Sequence, residues 1–233
     1  MTTRVGERLT AAYRAQLQAL RTGLLQELVT PFRAFESQRP VAGDADAFVQ
    51  RAVPLVAAAQ RVALNSTVAY LRTFARAETG SIAFERIEAQ RFTGAAARGG
   101  VEPAEVYIRP FTSLWFRLGM SVPYDEAFRA AQSTLERQAV TDVQLVARNV
   151  AAAMIASDER IRGWRRAVEQ NPCDLCASAS HGLYRREDAM PLHPRDTCTP
   201  VPDYTSDQVP VAPDARHTEE YGPMLRGLFH HDA

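Results

Sequence analysis

The sequence predicts a mainly α-helical protein, a bundle of long helices followed by a small C-terminal lobe of mixed α and β or irregular structure. Before residue 160, apolar residues recur at steps of three and four over long stretches, as in amphipathic helices. After it, prolines, all three cysteines and short alternating segments replace that period. We therefore predict a helical bundle domain at 1–160, a Cys/His knuckle lobe at 161–202 and an extended tail at 203–233.

The first two predicted helices cover about residues 5–37 and 44–79. Pro31 is expected to bend or end the first, because proline has no amide donor. Asp44 is a favourable N-cap for the second and Gly80 a natural stop, while Pro54 indicates a kink or a later start. The apolar stripe of the first helix contains Leu9, Tyr13, Leu17, Leu20, Leu24 and Leu28. That of the second contains Phe48, Ala52, Leu55, Ala59, Val62 and Ala69.

Two further helices follow an irregular stretch at 81–100. One opens at Glu102, with carboxylates near its positive end, and ends at Gly119. Its dense aromatic residues are interpreted as core, with a partner-facing patch as the alternative. The other covers about 123–158, and we expect the long helices to pack together. Its stripe contains Phe128, Leu135, Ala139, Val143, Val146, Val150 and Met154.

The lobe is predicted to contain two strands, one over 161–168 and a short one over 182–185, because apolar residues alternate there. Beyond Cys198, an extended tail is predicted by Pro200, Pro202, Pro210 and Pro213. Near the end of the chain, apolar residues are spaced for one amphipathic turn, which would dock on a partner or on the protein's own fold. These residues are Met224, Leu225, Leu228 and Phe229.

The cysteines and one histidine have the spacing of a metal knuckle, C-x2-C, sixteen residues, His, four residues, Cys. The predicted ligands are Cys173, Cys176, His193 and Cys198. Four such ligands form a closed tetrahedral set, which zinc adopts in structural sites, and leave no position for a catalytic water. The alternatives are a redox pair at Cys173 and Cys176, inert buried thiols, or a disulfide with one odd thiol.

The composition of the chain argues against several classes of function. All 27 basic residues are arginine, and they balance 27 acidic residues, so no overall field attracts nucleic acid or an anionic membrane. The chain begins without an apolar signal core, and no run approaches the roughly 20 apolar residues of a membrane span. We expect synthesis in a cytoplasm, where thiols stay reduced, and no membrane association. No phosphate-binding glycine loop, H-E-x-x-H or G-x-S-x-G motif is present.

The C-terminal part of the chain contains Gly-Trp-Arg-Arg-Ala-Val, the C-x2-C pair, a Gly-x-Tyr step, and His-Pro-x-x-x-Cys-x-x-Val-Pro. These motifs resemble those of the phage Mu F-like minor head proteins, in particular a type from tailed phages of actinobacteria that is often labelled a capsid maturation protease. Cys173 and Cys176 match the family's first pair, His193 its histidine and Cys198 its last cysteine. Asp196 stands where a further cysteine usually lies and is an alternative oxygen ligand. The N-terminal part resembles the family only in being built of long helices, without matching specific residues.

The resemblance implies a minor virion component that acts in head morphogenesis. Its partners would be the portal protein and the major capsid protein, with packaged DNA as a further candidate. It would be present in multiple copies inside the capsid, after synthesis in the host cytoplasm, and its structural zinc would stabilise a lobe too small to fold by burial alone.

Two other functions stay open. A protease would need a nucleophile and a base, and Ser178, Ser180 and His181 are the residues available near the knuckle; a solvated loop is the simpler interpretation. A zinc-knuckle nucleic-acid binder would use arginines for phosphates, with Trp164 and Tyr184 stacking on bases. The arginines chosen as binding residues are Arg162, Arg165 and Arg166, with Arg185 and Arg186 nearby.

Overall fold

The computed structural model of the protein describes residues 3–82, 84, 87–168, 174–188 and 198–204. Helices account for 73% of these described residues, so the predicted mainly α-helical class is confirmed. The helices are α1 (Arg4–Phe32), α2 (Ala42–Thr79), α3 (Pro103–Gly119), α4 (Tyr124–Ser157) and the short α5 (Asp174–Ala179). The strands are β1 (Gly163–Ala167) and β2 (Thr199–Asp203). The apolar segment around Met224 lies outside the described residues.

The ends of α1 and α2 follow local chemistry. α1 ends one residue after Pro31 and continues as a 3-10 turn, as expected for a residue without an amide donor. α2 begins before Asp44, whose Oδ2 accepts a hydrogen bond from the Val41 amide at 2.9 Å. Asp44 therefore caps from inside the first turn, and the predicted N-cap position is wrong. Pro54 lies within the continuous α2, so the predicted later start is wrong too.

Gly80 ends α2, as predicted. Its φ angle of +74° lies in the left-handed region that favours glycine, and its amide donates to the Arg76 carbonyl at 2.9 Å. The chain can therefore leave the helix without strain.

By its internal contacts the chain divides into two compact units, and α1, α2 and α4 contribute residues to both. The first, called the Trp164 unit, comprises 1–14, 68–87 and 150–233; the second, called the Phe32 unit, comprises 15–67 and 88–149. The domain boundaries predicted near residues 160 and 202 rest on composition and stay a prediction.

Aromatic rings fill the core of the Phe32 unit. Phe32 is fully buried, and its ring centroid lies 5.2–5.6 Å from those of Phe48, Phe111 and Phe128. The aromatic residues of α3 thus belong largely to a core, as interpreted from their spacing. Phe116 is the exception, because 71% of it is exposed.

A polar cluster around Asp142 is buried in the same unit. Asp142 Oδ1 accepts hydrogen bonds from Gln60 Nε2 at 3.1 Å and from Arg98 Nε at 2.8 Å. Its Oδ2 accepts from the Tyr107 hydroxyl at 2.6 Å. Burial is the main cause that raises the pKa of Tyr107 well above its ordinary value. Gln60 Oε1 also accepts a hydrogen bond from the Gly94 amide. The cluster therefore holds the loop that contains Gly94 and Arg98 against α2, α3 and α4.

All seven apolar residues predicted for the α4 stripe are buried. By length and composition α4 could also cross a membrane, contrary to the expectation that no segment could. However, 56% of its most apolar window is buried inside the protein. Buried polar residues also lie on it, such as Asp142 and Gln144. Such burial is typical of a core helix.

Two helix faces differ from the predicted stripes. Arg21 is not one of the residues named for the α1 stripe, but it is buried, because it lies four residues after Leu17 and three before Leu24. Leu55 and Val62 of the predicted α2 stripe are exposed. The buried face of α2 contains Phe48, Ala52 and Ala59 of that stripe, together with Val56 and Ala63 beside it.

β1 and β2 form an antiparallel ladder in the Trp164 unit, with Gly163 opposite Asp203 and Ala167 opposite Thr199. The strand β1 was predicted, whereas β2 was expected to be extended tail. Pro200 and Pro202 lie opposite residues of β1 without needing to donate to it, which suits prolines in an edge strand. The predicted strand at 182–185 is reduced to one bridge, between Trp164 and Tyr184.

Replacing Gly163 with alanine is expected to lower the free energy of unfolding by about 1–3 kcal/mol, because the position is overpacked. The added Cβ would lie 2.4 Å from the Tyr184 carbonyl oxygen, which is held by backbone pairing. Urea unfolding measures the effect. The matched control, Gly23→Ala in α1, meets no atom within 4 Å and is expected to stabilise the helix by about 0.5–1 kcal/mol. Equal effects of the two substitutions would contradict this account of Gly163.

Candidate functional site

Three motif segments of the sequence meet at Trp164. The Trp164 amide donates to the Tyr184 carbonyl at 2.9 Å, and the Tyr184 amide donates back at 2.8 Å. Across the ladder, Trp164 lies opposite Pro202. The Gly-Trp-Arg-Arg-Ala strand, the Gly-Leu-Tyr step and the Val-Pro step therefore form one structure, which we call the C-terminal lobe (161–168, 174–188 and 198–204).

The side chain of Trp164 is the centre of a small apolar core. It is 2% exposed and packs with Ile155 and Ile161, and its ring stacks on Tyr184 at 4.4 Å between centroids. Cys198 and Tyr204 pack against this cluster. Trp164 therefore has no face for a nucleic-acid base, and the expectation that it stacks on bases is wrong.

Two of the four predicted metal ligands lie in the described part of the chain. Cys176, in α5, is 3% exposed, and Cys198, directly before β2, is half-buried. Cys173 and His193 lie outside the described residues. Within the ranges given above, no group of three or more His, Cys, Asp or Glu side chains is arranged to hold a metal. The CCHC site stays a prediction.

Cys176 contacts a side chain of β1, and Cys198 directly precedes β2, the partner strand of β1. Arg166 Nη1, in β1, lies 3.7 Å from Cys176 Sγ. Ala167 pairs with Thr199, so the next residues outward are Val168 and Cys198. The Val168 carbonyl accepts a hydrogen bond from Arg14 Nη1 of α1 at 2.9 Å, which anchors this end.

The donor set suits zinc. Three thiolates and one imidazole are ligands that zinc prefers in closed, four-coordinate sites. In the structure, the Cys176 sulfur is buried and lies against the Arg166 guanidinium group.

The three arginines predicted as binding residues have different environments. Arg162 is exposed, and its backbone amide donates to the Asp203 carbonyl at 2.9 Å. Arg165 forms an ion pair with Asp203, at 3.2 Å between Nε and Oδ2. Arg166 is 4% exposed and faces Cys176. Their common role in binding stays a prediction.

The residues considered for proteolysis lie at the end of α5. The Ser180 hydroxyl donates to the Ala177 carbonyl at 2.7 Å, which is a helix-ending hydrogen bond. His181 is exposed, and its backbone amide lies 3.5 Å from the Ser178 carbonyl. These contacts agree with the interpretation of this segment as a surface turn.

An ion pair between the buried Asp158 and the partly exposed Arg160 supports the lobe and was missed by the sequence analysis. Arg160 donates to both carboxylate oxygens of Asp158, at 2.8 and 2.7 Å. Arg160 Nη1 also donates to the hydroxyl of Thr79, the last residue of α2, at 3.2 Å, and Arg186 donates to the Asp158 carbonyl at 3.3 Å. An Asp-x-Arg sequence after a long helix was the one available signal, and it is too common to be specific.

The ion pair between Asp158 and Arg160 predicts that the free energy of unfolding falls at acidic pH. Burial acts to raise the pKa of Asp158, but the hydrogen bonds and charge of Arg160 outweigh it and hold that pKa below its ordinary value. Since the folded state binds the proton more weakly, the stabilisation is complete above the unfolded pKa of about 4 and is lost as the pH falls through the folded pKa. Thermal unfolding between neutral and acidic pH should show this loss.

The control for that titration is Asp158→Asn, which removes the ionisable group. We expect it to be less stable at neutral pH and to lose less stability on acidification than the wild type. A variant with the same acid-induced loss as the wild type would contradict the role given to Asp158.

Comparison of the chain with known protein families, with curated proteins and with solved structures gave no match.

Proposed function

We propose that this protein is a minor head protein of a tailed phage, which binds the portal and the capsid interior during assembly. Its C-terminal lobe would fold around a structural zinc ion held by Cys173, Cys176, His193 and Cys198. The observation that carries the proposal is the convergence of the motif segments at Trp164 and Tyr184. These segments also carry the resemblance to Mu F-like proteins.

The small size of the lobe supports a metal. Its described apolar core is one cluster around Trp164, with a single two-stranded ladder. A lobe of this size gains stability from a structural metal, since metal binding contributes directly to the free energy of folding. The zinc would supply this stabilisation, while the long helices would offer arginine-rich surfaces to larger partners.

The zinc content of the protein is the direct test of the proposed metal site in the lobe. Mass spectrometry of the full-length protein, native and denatured, is expected to find about one zinc ion per chain in the native form alone. Chelation should increase amide hydrogen exchange in 161–168 and 198–204, with a smaller effect on α3. Absence of zinc from protein expressed with zinc in excess would overturn the metal part of the proposal.

Assembly is the test of the biological role. Co-expression with the portal and major capsid proteins of the same phage should incorporate the protein into shells, and shells built without portal are the control. We expect incorporation to depend on the portal. Normal shells that exclude the protein would contradict the role, and peptide cleavage lost in Ser178→Ala or Ser180→Ala would favour the protease instead.

A further inference from the structure

The three most exposed large apolar side chains in the described part of the chain belong to one end of α3 and the loop fixed to it. Phe116, Met120 and Val41 are 71%, 67% and 66% exposed. Phe116 and Met120 are four residues apart, so they lie on the same face of the helix end. The loop of Val41 is fixed to this end, because the Trp115 indole Nε1 donates to the Pro40 carbonyl at 3.1 Å. We call Val41, Phe116 and Met120 the Phe116 patch.

The backbone that carries the Phe116 patch is held by hydrogen bonds. The Met120 amide donates to the Phe116 carbonyl at 3.1 Å, and Ser121 turns the chain toward α4 with a φ angle of 61°. The Tyr124 hydroxyl, at the start of α4, donates to the Gln38 carbonyl at 3.1 Å. The patch is therefore ordered before a partner binds, which lowers the entropy cost of binding.

The two stretches that carry the patch, 37–43 and 106–124, contain no acidic residue. Their charged residues, all exposed, are Arg39, Arg109 and Arg117. The acidic residues that directly follow the two stretches are already engaged. Asp44 accepts from the Val41 amide at 2.9 Å, and Asp125 pairs with Arg129 at 3.1 Å. The charge of these stretches therefore complements an acidic partner.

We propose that the Phe116 patch binds an acidic amphipathic helix of another protein. The apolar face of that helix covers Phe116 and Met120, and its carboxylates pair with the exposed arginines of α3. A helix is the element that matches, because Arg109, Phe116 and Met120 follow one face at steps of seven and four residues. Aromatic residues and arginine contribute most to binding at interfaces, and methionine adapts to the shape of its partner.

A protein partner is favoured over a membrane, because α3 buries its broad apolar face in the core of the Phe32 unit. An interfacial membrane helix would insert that face into the lipid. The interaction goes beyond the proposed function, since it needs neither the zinc ion nor a role in head assembly.

The test uses the full-length protein and a synthetic helical peptide with leucine on one face and glutamate on both flanks, labelled for fluorescence anisotropy. A peptide with lysine in place of each glutamate is the control for charge. We expect the acidic peptide to bind about tenfold more tightly or better, and its affinity to fall as salt is added. No binding of the acidic peptide, or equal binding of the two, would overturn the proposal.

Variants locate the binding surface. Phe116→Ala is expected to weaken binding of the acidic peptide about 5- to 30-fold, as for truncation of an interface anchor. Its control is Val62→Ala on α2, which removes an exposed apolar side chain beside the exposed Arg61 and should leave the affinity unchanged. Arg117→Gln should weaken binding about two- to fivefold and reduce its dependence on salt, whereas Arg61→Gln should not. Wild-type affinity in Phe116→Ala would refute the patch as the site.

Two further measurements distinguish other occupants of the patch. Sedimentation velocity detects a dimer in which a second copy of the chain covers it. Flotation with vesicles of equal parts phosphatidylglycerol and phosphatidylcholine detects a membrane. We expect a monomer that does not float. A dimer, or vesicle binding, that is lost in Phe116→Ala would assign the patch to that occupant and contradict an acidic helix as its partner.

Discussion

Replacing Asp142 with alanine is expected to lower the free energy of unfolding by about 3–5 kcal/mol, the cost of breaking a buried ion pair by removing one partner. Its carboxylate accepts hydrogen bonds from Gln60, Arg98 and Tyr107. Without it, three donors would lie in or near the interior without their acceptor. The loop that contains Arg98 would also lose its ion pair with α4 and keep only the hydrogen bond from Arg98 Nη2 to the Gln138 carbonyl. The change should therefore affect both local order and global stability.

Urea unfolding followed by circular dichroism measures this effect, because the Phe32 unit is almost entirely helical. The matched control is Asp125→Ala at the start of α4. Asp125 also pairs with an arginine, Arg129, but its side chain is 72% exposed. Exposed pairs at this spacing contribute about 0.3–0.5 kcal/mol, so the control should barely change stability. Comparable losses in both variants would show that the buried cluster is not the cause.

Replacing Trp164 with alanine is expected to cost about 3–5 kcal/mol, as for other buried large aromatic residues. The substitution removes the centre of the lobe core and the stacking partner of Tyr184. The backbone bridge between residues 164 and 184 would remain without the ring packing that accompanies it. We expect the C-terminal lobe to open before the Phe32 unit does.

Hydrogen exchange with mass spectrometry distinguishes this local opening from global unfolding. Amides of β1 and β2 should lose protection in Trp164→Ala, while those of α3 keep it. Phe116→Ala is the control, because it removes a large ring that is exposed; its effect should stay within about 0.5 kcal/mol. Uniform loss of protection in Trp164→Ala would contradict a separately stabilised lobe.

The helices were predictable because their signal is local. A helix repeats every 3.6 residues, so the apolar spacing of Phe128 through Met154 by itself indicates which face is buried. Gly80 and Pro31 act through their own backbone chemistry, and both end a helix close to the expected place. Asp44 was misplaced within the first turn of α2, because an acidic residue can accept from an N-terminal amide from more than one position.

The contacts of the lobe were not predictable in the same way. Tyr184 and Pro202 flank Trp164 from positions 20 and 38 residues further along the chain, and periodicity does not reach across such separations. The alternation in 161–168 indicated a strand but not its partners. The prolines of β2 concealed a strand, because they are tolerated where the edge of a ladder needs no donor.

The sequence alone predicted the helical class, most helix limits and the strand β1, and its cysteine spacing suggested a metal. The tertiary structure decided which side chains lie in contact: Asp142 with Arg98, Asp158 with Arg160, Trp164 with Tyr184, and Arg166 with Cys176. The reason is physical. Propensity and periodicity act between neighbours along the chain, whereas the cost of burying a charge or an aromatic ring depends on what lies beside it in space.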